Sequence, residues 1–266
     1  MSKFNDPQYL KNNQYRDSSN LDARVVIHQR FSTNPYGWFK WIFDRLLILP
    51  QDARILELGC GHANLWKENV DRIPAEWNIT LSDLSPGMVD AAWRSLVVAR
   101  RPFKFEEINA ESIPYADETC DAIVANHMLY HLPNRSKGLA EIKRVLKPGG
   151  CLFATTLGEG HLKEMNTWMS RISEDRLSAI SHLPFRLETG EAELQEYFAS
   201  VTMERYSDNL EVTEVEPIMA YICSGFSSED IIESEFSKLQ QELEAELEQK
   251  SKIFITKDSG LFRAVK

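Results

Sequence analysis

An α/β fold, built on a mostly parallel sheet with helices on both faces, is what this chain predicts, and three observations carry that expectation. Between residues 53 and 157 short apolar runs (ARILELG, NITLSD, FKFEEIN, DAIVANH and CLFATTL) alternate with helical stretches. Near-continuous apolar strands separated by helices need cover on both faces, which implies a parallel sheet. The first run passes directly into a glycine turn, ILELGCGHANLW at residues 55–66. Such a turn lets backbone approach a ligand closely and aims free N–H groups at it. The second run ends on Asp83, where a carboxylate accepts both hydroxyls of a ribose in open α/β sheets.

Composition narrows the function. With 266 residues and 43% hydrophobic content, the chain suits one large domain or one domain with an elaboration. A formal charge of -10 repels phosphate backbones, so no nucleic-acid partner is expected and a small molecule or peptide is the expected substrate. Apolar runs such as LLIL fall far short of the roughly 18 residues a membrane helix needs, and the polar start lacks a signal-peptide core. No membrane partner and a cytoplasmic location are therefore expected. The four cysteines, Cys60, Cys120, Cys151 and Cys223, are scattered without a C-x-x-C pair, which indicates reduced thiols and no metal site.

The elements follow in order. Residues 1–20 are polar, and SSNLDARVVIHQRF then reads as a capped helix. In NPYGWFKWIFDRLLIL, Asn34 suits a cap and Pro35 a first helical position, with Trp38, Trp41, Ile42 and Leu46 at helical spacing. Within the strand series, PGMVDAAWRSLVVAR and SKGLAEIKRVL read as helices, the second stopped by KPGG. Beyond Gly158, TGEAELQEYFASV looks helical and VTMERYSDNLEVT strand-like. A long acidic helix then carries Ile232, Phe236, Leu239, Leu243 and Leu247 on one stripe, which packs on the domain or forms a homodimer seam. Asp258 to Gly260 make a turn before a terminal strand at about 261–266.

The turn itself discriminates between ligands. A dinucleotide fingerprint wants a third glycine, and Asn64 stands there. Glu57 sits in an apolar strand end, a costly place unless it serves a polar ligand or a helix N-terminus. A ligand bearing an ammonium group would justify it.

The block NAESIPYADETCDAIVANHMLYHL, followed by EIKRVLKPGGCLFATT, resembles the class I S-adenosylmethionine-dependent methyltransferases, in particular those related to ubiquinone and menaquinone biosynthesis. The resemblance covers about residues 53–156. It implies a Rossmann-like, mostly parallel seven-stranded sheet with an N-terminal helical lid at 1–50 and a methyltransferase domain at 51–266. Within that domain it implies a motif core at 53–157 and a substrate-side insertion at about 160–250. It also implies S-adenosyl-L-methionine as cofactor. The acid-x-Gly-x-Gly motif falls on Glu57, Gly59 and Gly61, with Cys60 inside the turn, and the ribose acid falls on Asp83. Leu84 and Met88 would flank the adenine. Asn109, Ala110 and Glu111 occupy the third motif, where the family usually has Asp in place of Asn109, and Asn126 ends the fourth strand. Ala63 stands where many members carry a further glycine. The lid would contribute Tyr15, Arg24 and His28, with Arg24 facing the donor's carboxylate.

Methyl transfer from a sulfonium is an in-line displacement that needs positioning above all. A base matters only for an acceptor that starts protonated, and histidine is the natural candidate. His127, just past the fourth strand, stands at the ligand-binding crevice; His131 and His161 are the other candidates. An H-x-x-x-H pair without a third ligand is a poor metal site. The expected function is an S-adenosylmethionine-dependent methyltransferase acting on a small molecule or peptide. The alternatives are an NAD(P)-dependent oxidoreductase and a non-catalytic S-adenosylmethionine-binding protein.

Overall fold

The computed structural model describes residues 19–99, 101–172, 183–224 and 231–266, with side chains from residue 25 onward. Two helices, α1 (Ser19–Phe31) and α2 (Trp38–Leu46), precede the first strand, β1 (Arg54–Leu58). The chain continues through α3 (Asn64–Lys67), β2 (Asn78–Asp83), α4 (Pro86–Leu96), β3 (Lys104–Glu107), β4 (Cys120–Asn126), α5 (Arg135–Val145) and β5 (Leu146–Leu157). The last third holds α6 (Lys163–Ile172), α7 (Leu187–Gln195), β6 (Ser200–Tyr206), β7 (Asn209–Val212), α8 (Val215–Cys223), α9 (Glu233–Lys250), β8 (Ile253–Thr256) and β9 (Ser259–Val265).

Seven strands form one sheet in the order β3-β2-β1-β4-β5-β9-β6. The first five run parallel, and β9 lies antiparallel between β5 and β6. The order reverses between β1 and β4, so the carboxyl ends of those strands form the crevice in which such sheets bind ligands. One core lies on each face. Leu56, Leu58, Ile123 and Phe262 point into one with Leu139 and Ile142 of α5. Ile55, Val124 and Phe153 point into the other with Ile42, Phe43 and Leu46 of α2. This alternation of neighbouring residues is what a strand buried on both faces requires.

A third core stands apart from the large sheet. The small β7–β8 sheet is covered by α6, α8 and α9, and α1 joins it through Ile27 and Phe31. On α9, Leu239 and Leu243 are buried in this core and Phe236 and Leu247 pack against it, so the acidic helix spends its stripe on its own domain. Ile232 lies just ahead of the helix and is 45% exposed. Among the described residues no helix is long and apolar enough to cross a membrane.

Four local expectations need correction. The second helix begins at Trp38, because Gly37 at φ +94° and ψ 135° breaks helical geometry and the Asn34 side chain accepts from the Tyr36 N–H in a turn. KPGG is absorbed into β5 as an irregularity between the Cys120 and Ala122 pairings, with Gly149 at φ +75° supplying the left-handed residue. The stretch VTMERYSDNLEVT is two strands in different sheets. Ser259 and Gly260 already belong to β9, where a Cβ on Gly260 would lie 2.6 Å from the Glu204 carbonyl oxygen.

Candidate active site

The turn after β1 is built from left-handed backbone at alternate positions: Gly59 at φ +69°, Gly61 at +51° and Ala63 at +56°. Glycine adopts this conformation freely, and Ala63 is the residue that bears a steric cost for it. A Cβ on Gly59 would meet the Met128 Cβ at 2.9 Å, so the turns after β1 and β4 touch. Asp83, at the end of β2, is tethered from both sides: the Gly61 N–H donates to its Oδ2 (3.2 Å) and the Ser85 N–H to its Oδ1 (2.9 Å). A carboxylate has about four acceptor positions, so the held group keeps capacity for hydroxyl donors. Burial raises its pKa above the usual carboxylate value.

Glu57 is buried, and both its oxygens are engaged. Trp66 Nε1–H donates to Oε2 (2.5 Å) and Asn126 Nδ2 to Oε1 (2.8 Å). It braces β1 to α3 and to the end of β4, and burial pushes its carboxyl up to about 7. Burial likewise drives the Cys60 thiol well above its ordinary value, so it stays protonated. Leu84 is half-buried beside Asp83, while Met88 is buried inside α4. Asn109 folds its Oδ1 back onto the Glu111 N–H (2.9 Å), and Glu111 accepts from the Asn134 N–H (2.8 Å). Ala110 is buried beneath them.

Across the crevice three imidazoles from three elements converge. His127 follows β4 at φ +50°, its N–H donating to Thr155 Oγ1 (3.0 Å). His161 follows β5; its Nδ1 accepts the Asp258 N–H (3.1 Å) and lies 3.3 Å from Ser259 Oγ. His28 comes from α1, its ring 6.2 Å from that of His161 and edge-on to Tyr221. Trp38 stacks on Trp41, meets Tyr206 edge-on and lies 5.6 Å from His127. Burial, the Lys257 ammonium and the neighbouring imidazoles lower these histidines: His28 to about 3, His127 to about 4 and His161 well below its usual value. The near-neutral base expected at His127 is thus displaced by desolvation.

Lys257 is in turn paired with Asp208, whose side chain is 1% exposed. Asp208 also accepts from Ser32 Oγ (2.7 Å), Thr33 Oγ1 (3.2 Å) and the backbone N–H of Asn34 and Asn209 (3.0 and 2.8 Å). His131 lies one turn past His127, its ring 4.5 Å from that of Tyr130. Tyr15 and the Arg24 side chain lie outside the described residues. Sequence reasoning missed Tyr206, Asp208 and Lys257; the signals were YSDN and TKDSG, polar turns flanked by strands. Among the described residues no three His, Cys, Asp or Glu side chains are arranged to hold a metal ion. Two clefts of about 290 and 260 Å³ lie at the opposite pole, the first lined by Arg54, Asn78, Lys104 and Cys120 at the amino ends of β1 to β4. That is the wrong end of a parallel sheet for ligand chemistry.

Residues 56–154, from β1 into β5, match the protein family described as methyltransferase domain. The core of this chain is similar to methyltransferase domains. Over 134 residues the chain is 31% identical to the malonyl-[acyl-carrier protein] O-methyltransferase of Legionella pneumophila, covering 50% of this chain and 46% of the relative. Over 116 residues it is 30% identical to a ubiquinone/menaquinone biosynthesis C-methyltransferase of Geotalea daltonii, covering 43% of this chain and 49% of the relative. The chain thus spans less than half the length of these curated relatives. The methyltransferase fold extends further than the sequence match. Phosphoethanolamine N-methyltransferase 2 of Haemonchus contortus, solved with S-adenosyl-L-methionine, superposes with a TM-score of 0.60 at 18% identity, over all of this chain and 60% of the other. A Bacillus halodurans protein described as a putative methyltransferase gives 0.59 at 15% identity, over 86% and 98% of the two chains.

Proposed function

We propose that this chain is an S-adenosylmethionine-dependent methyltransferase acting on a small molecule or peptide. The observation that carries the reading is the tethered Asp83 set against the left-handed Gly59–Gly61 turn. That arrangement offers hydroxyl acceptors and close backbone approach without the third glycine that a dinucleotide pyrophosphate requires. Bound S-adenosylmethionine would supply an electrophilic methyl on a sulfonium. In this reading Asp83 holds the ribose, Leu84 borders the adenine, and Glu57 keeps the turn in place through Trp66 and Asn126. His127, His161 and His28 line the acceptor side, where excluding water and fixing the approach line supply most of the catalytic effect. The names of the relatives, one an O-methyltransferase and one a C-methyltransferase, support the reaction class. Cys60, Cys120, Cys151 and Cys223 are all free, which fits a reducing compartment, and we place the protein in the cytoplasm.

Calorimetry and thermal unfolding with S-adenosylhomocysteine test this reading. Binding should stabilise the fold by about 2.7 kcal/mol at a hundredfold excess over the dissociation constant. Asp83→Ala should weaken affinity roughly tenfold to a hundredfold, as loss of charged hydrogen bonds worth about 1.5 to 3 kcal/mol implies. A response to NADH with none to S-adenosylhomocysteine would replace the reading with an oxidoreductase.

A further inference from the structure

We propose that the cluster of His28, His127, His161 and Trp38 forms the acceptor chamber, that it takes its methyl acceptor as a carboxylate, and that the product is a methyl ester. The inference rests on the methyl-transfer reading and adds the chemical class of the acceptor. Three features of the chamber carry it.

The first is donor geometry. His161 Nδ1 accepts the Asp258 N–H, which places the imidazole proton on Nε2 and leaves that N–H to donate elsewhere. His28 Nδ1 is enclosed and has no hydrogen-bond partner, a polar atom that a native interior seldom leaves unsatisfied. His161 thus presents an Nε2–H donor and His28 an unpartnered ring nitrogen, a pair that suits an anionic oxygen.

The second is the sign of the field. Desolvation is the largest cause that disfavours a positive charge on His28, His127 and His161, and Lys257 adds to it at all three; the neighbouring imidazoles add further, while Asp208 acts the other way on His28 and the Asp258 backbone on His161. A field that resists an imidazolium also resists an ammonium acceptor placed beside it. The same desolvated imidazoles are poor bases, so an acceptor that requires deprotonation is badly served. A carboxylate arrives ionised at neutral pH.

The third is shape. Trp38, stacked on Trp41 and flanked by Tyr206, forms a flat apolar wall beside His127, suited to an aryl or alkyl body behind the charged end. The reaction balances without proton transfer. A carboxylate lone pair forms the O–CH3 bond while the C–S bond breaks, its electron pair passes to sulfur, and an ester and a neutral thioether remain.

The test uses three probes with one aromatic body, phenylacetate, p-cresol and benzylamine, added to the full chain already saturated with S-adenosylhomocysteine. Phenylacetate should bind and raise the NMR titration midpoints of the chamber histidines, and benzylamine should not bind. His28→Gln and His161→Gln should each lower phenylacetate affinity at least tenfold while S-adenosylhomocysteine affinity holds. With S-adenosylmethionine, methyl phenylacetate should form. Preferential binding of benzylamine or p-cresol, no phenylacetate binding at millimolar concentration, or unchanged affinity in both variants would overturn the acceptor class. Failure to bind S-adenosylhomocysteine at the outset would overturn the methyltransferase reading instead.

Discussion

Glu57 is a carboxyl group that the fold holds at a cost. Its pKa rises from 4.5 to about 7 because burial outweighs the donors Trp66 and Asn126. Between those values the unfolded chain is ionised while the folded chain keeps its proton, so stability falls as pH rises from 4.5 to 7 and the full cost applies above 7. Glu57→Gln should therefore stabilise the protein at pH 8 by up to about 3 kcal/mol, with little change at pH 4, as measured by urea unfolding. A variant no more stable at pH 8 would show that the carboxylate's hydrogen bonds offset its desolvation. Gly59, Gly61 and Asp83 were legible in the sequence because their task is local: a turn and a strand end lie within one stretch of chain. His28 was legible only as a lid residue, and Trp38 and Trp41 only as a helical stripe. Their shared chamber depends on Asp208 and Lys257, and no local spacing encodes that meeting.

At the scale of elements, α1 is anchored more firmly than a hinged cover would be. Ile27 is fully buried and Phe31 nearly so, both packed with α8 and the β7–β8 sheet. Ile27→Ala should cost about 2 to 5 kcal/mol of stability, the range for emptying a buried aliphatic site. Deleting residues 1–31 should destabilise the fold and abolish turnover together, as urea unfolding and a turnover assay would show. A full-stability protein lacking residues 1–31 would refute the anchoring. Strands β1, β2, β4 and β5 were legible because strands buried on both faces read as apolar runs. The β7–β8 sheet was not. Its strands are four residues each, too short for a periodicity to develop, and their pairing joins segments on either side of α8 and α9.

For the whole molecule, the desolvated histidines set the acid response. His28 and His127 titrate at about 3 and 4 when folded and His161 lower than usual, against about 6.5 unfolded. As pH falls through 6.5 the unfolded chain takes up protons that the folded chain refuses, so stability is lost, by about 2 kcal/mol each for His28 and His127 between pH 7 and 5, with His161 acting in the same sense. Glu57 works in the opposite sense over the same window. The net expectation is a loss of a few kcal/mol, and His127→Gln should flatten the dependence of Tm on pH; an unchanged slope would mean that the imidazole ionises freely in the fold. The Asp208 hub has a consequence for the order in which the chain acquires its parts. Ser32 and Asp208 lie 176 residues apart, and Lys257 a further 49 along, whereas the turn, Asp83 and the β4 crevice all fall within 53–157. A chain leaving the ribosome has therefore synthesised the whole turn-and-crevice segment about a hundred residues before Lys257 arrives to pair with Asp208. The Asp208–Lys257 pair is thus the last piece to arrive, although His28 and Trp38, which it joins in space, are among the first residues made.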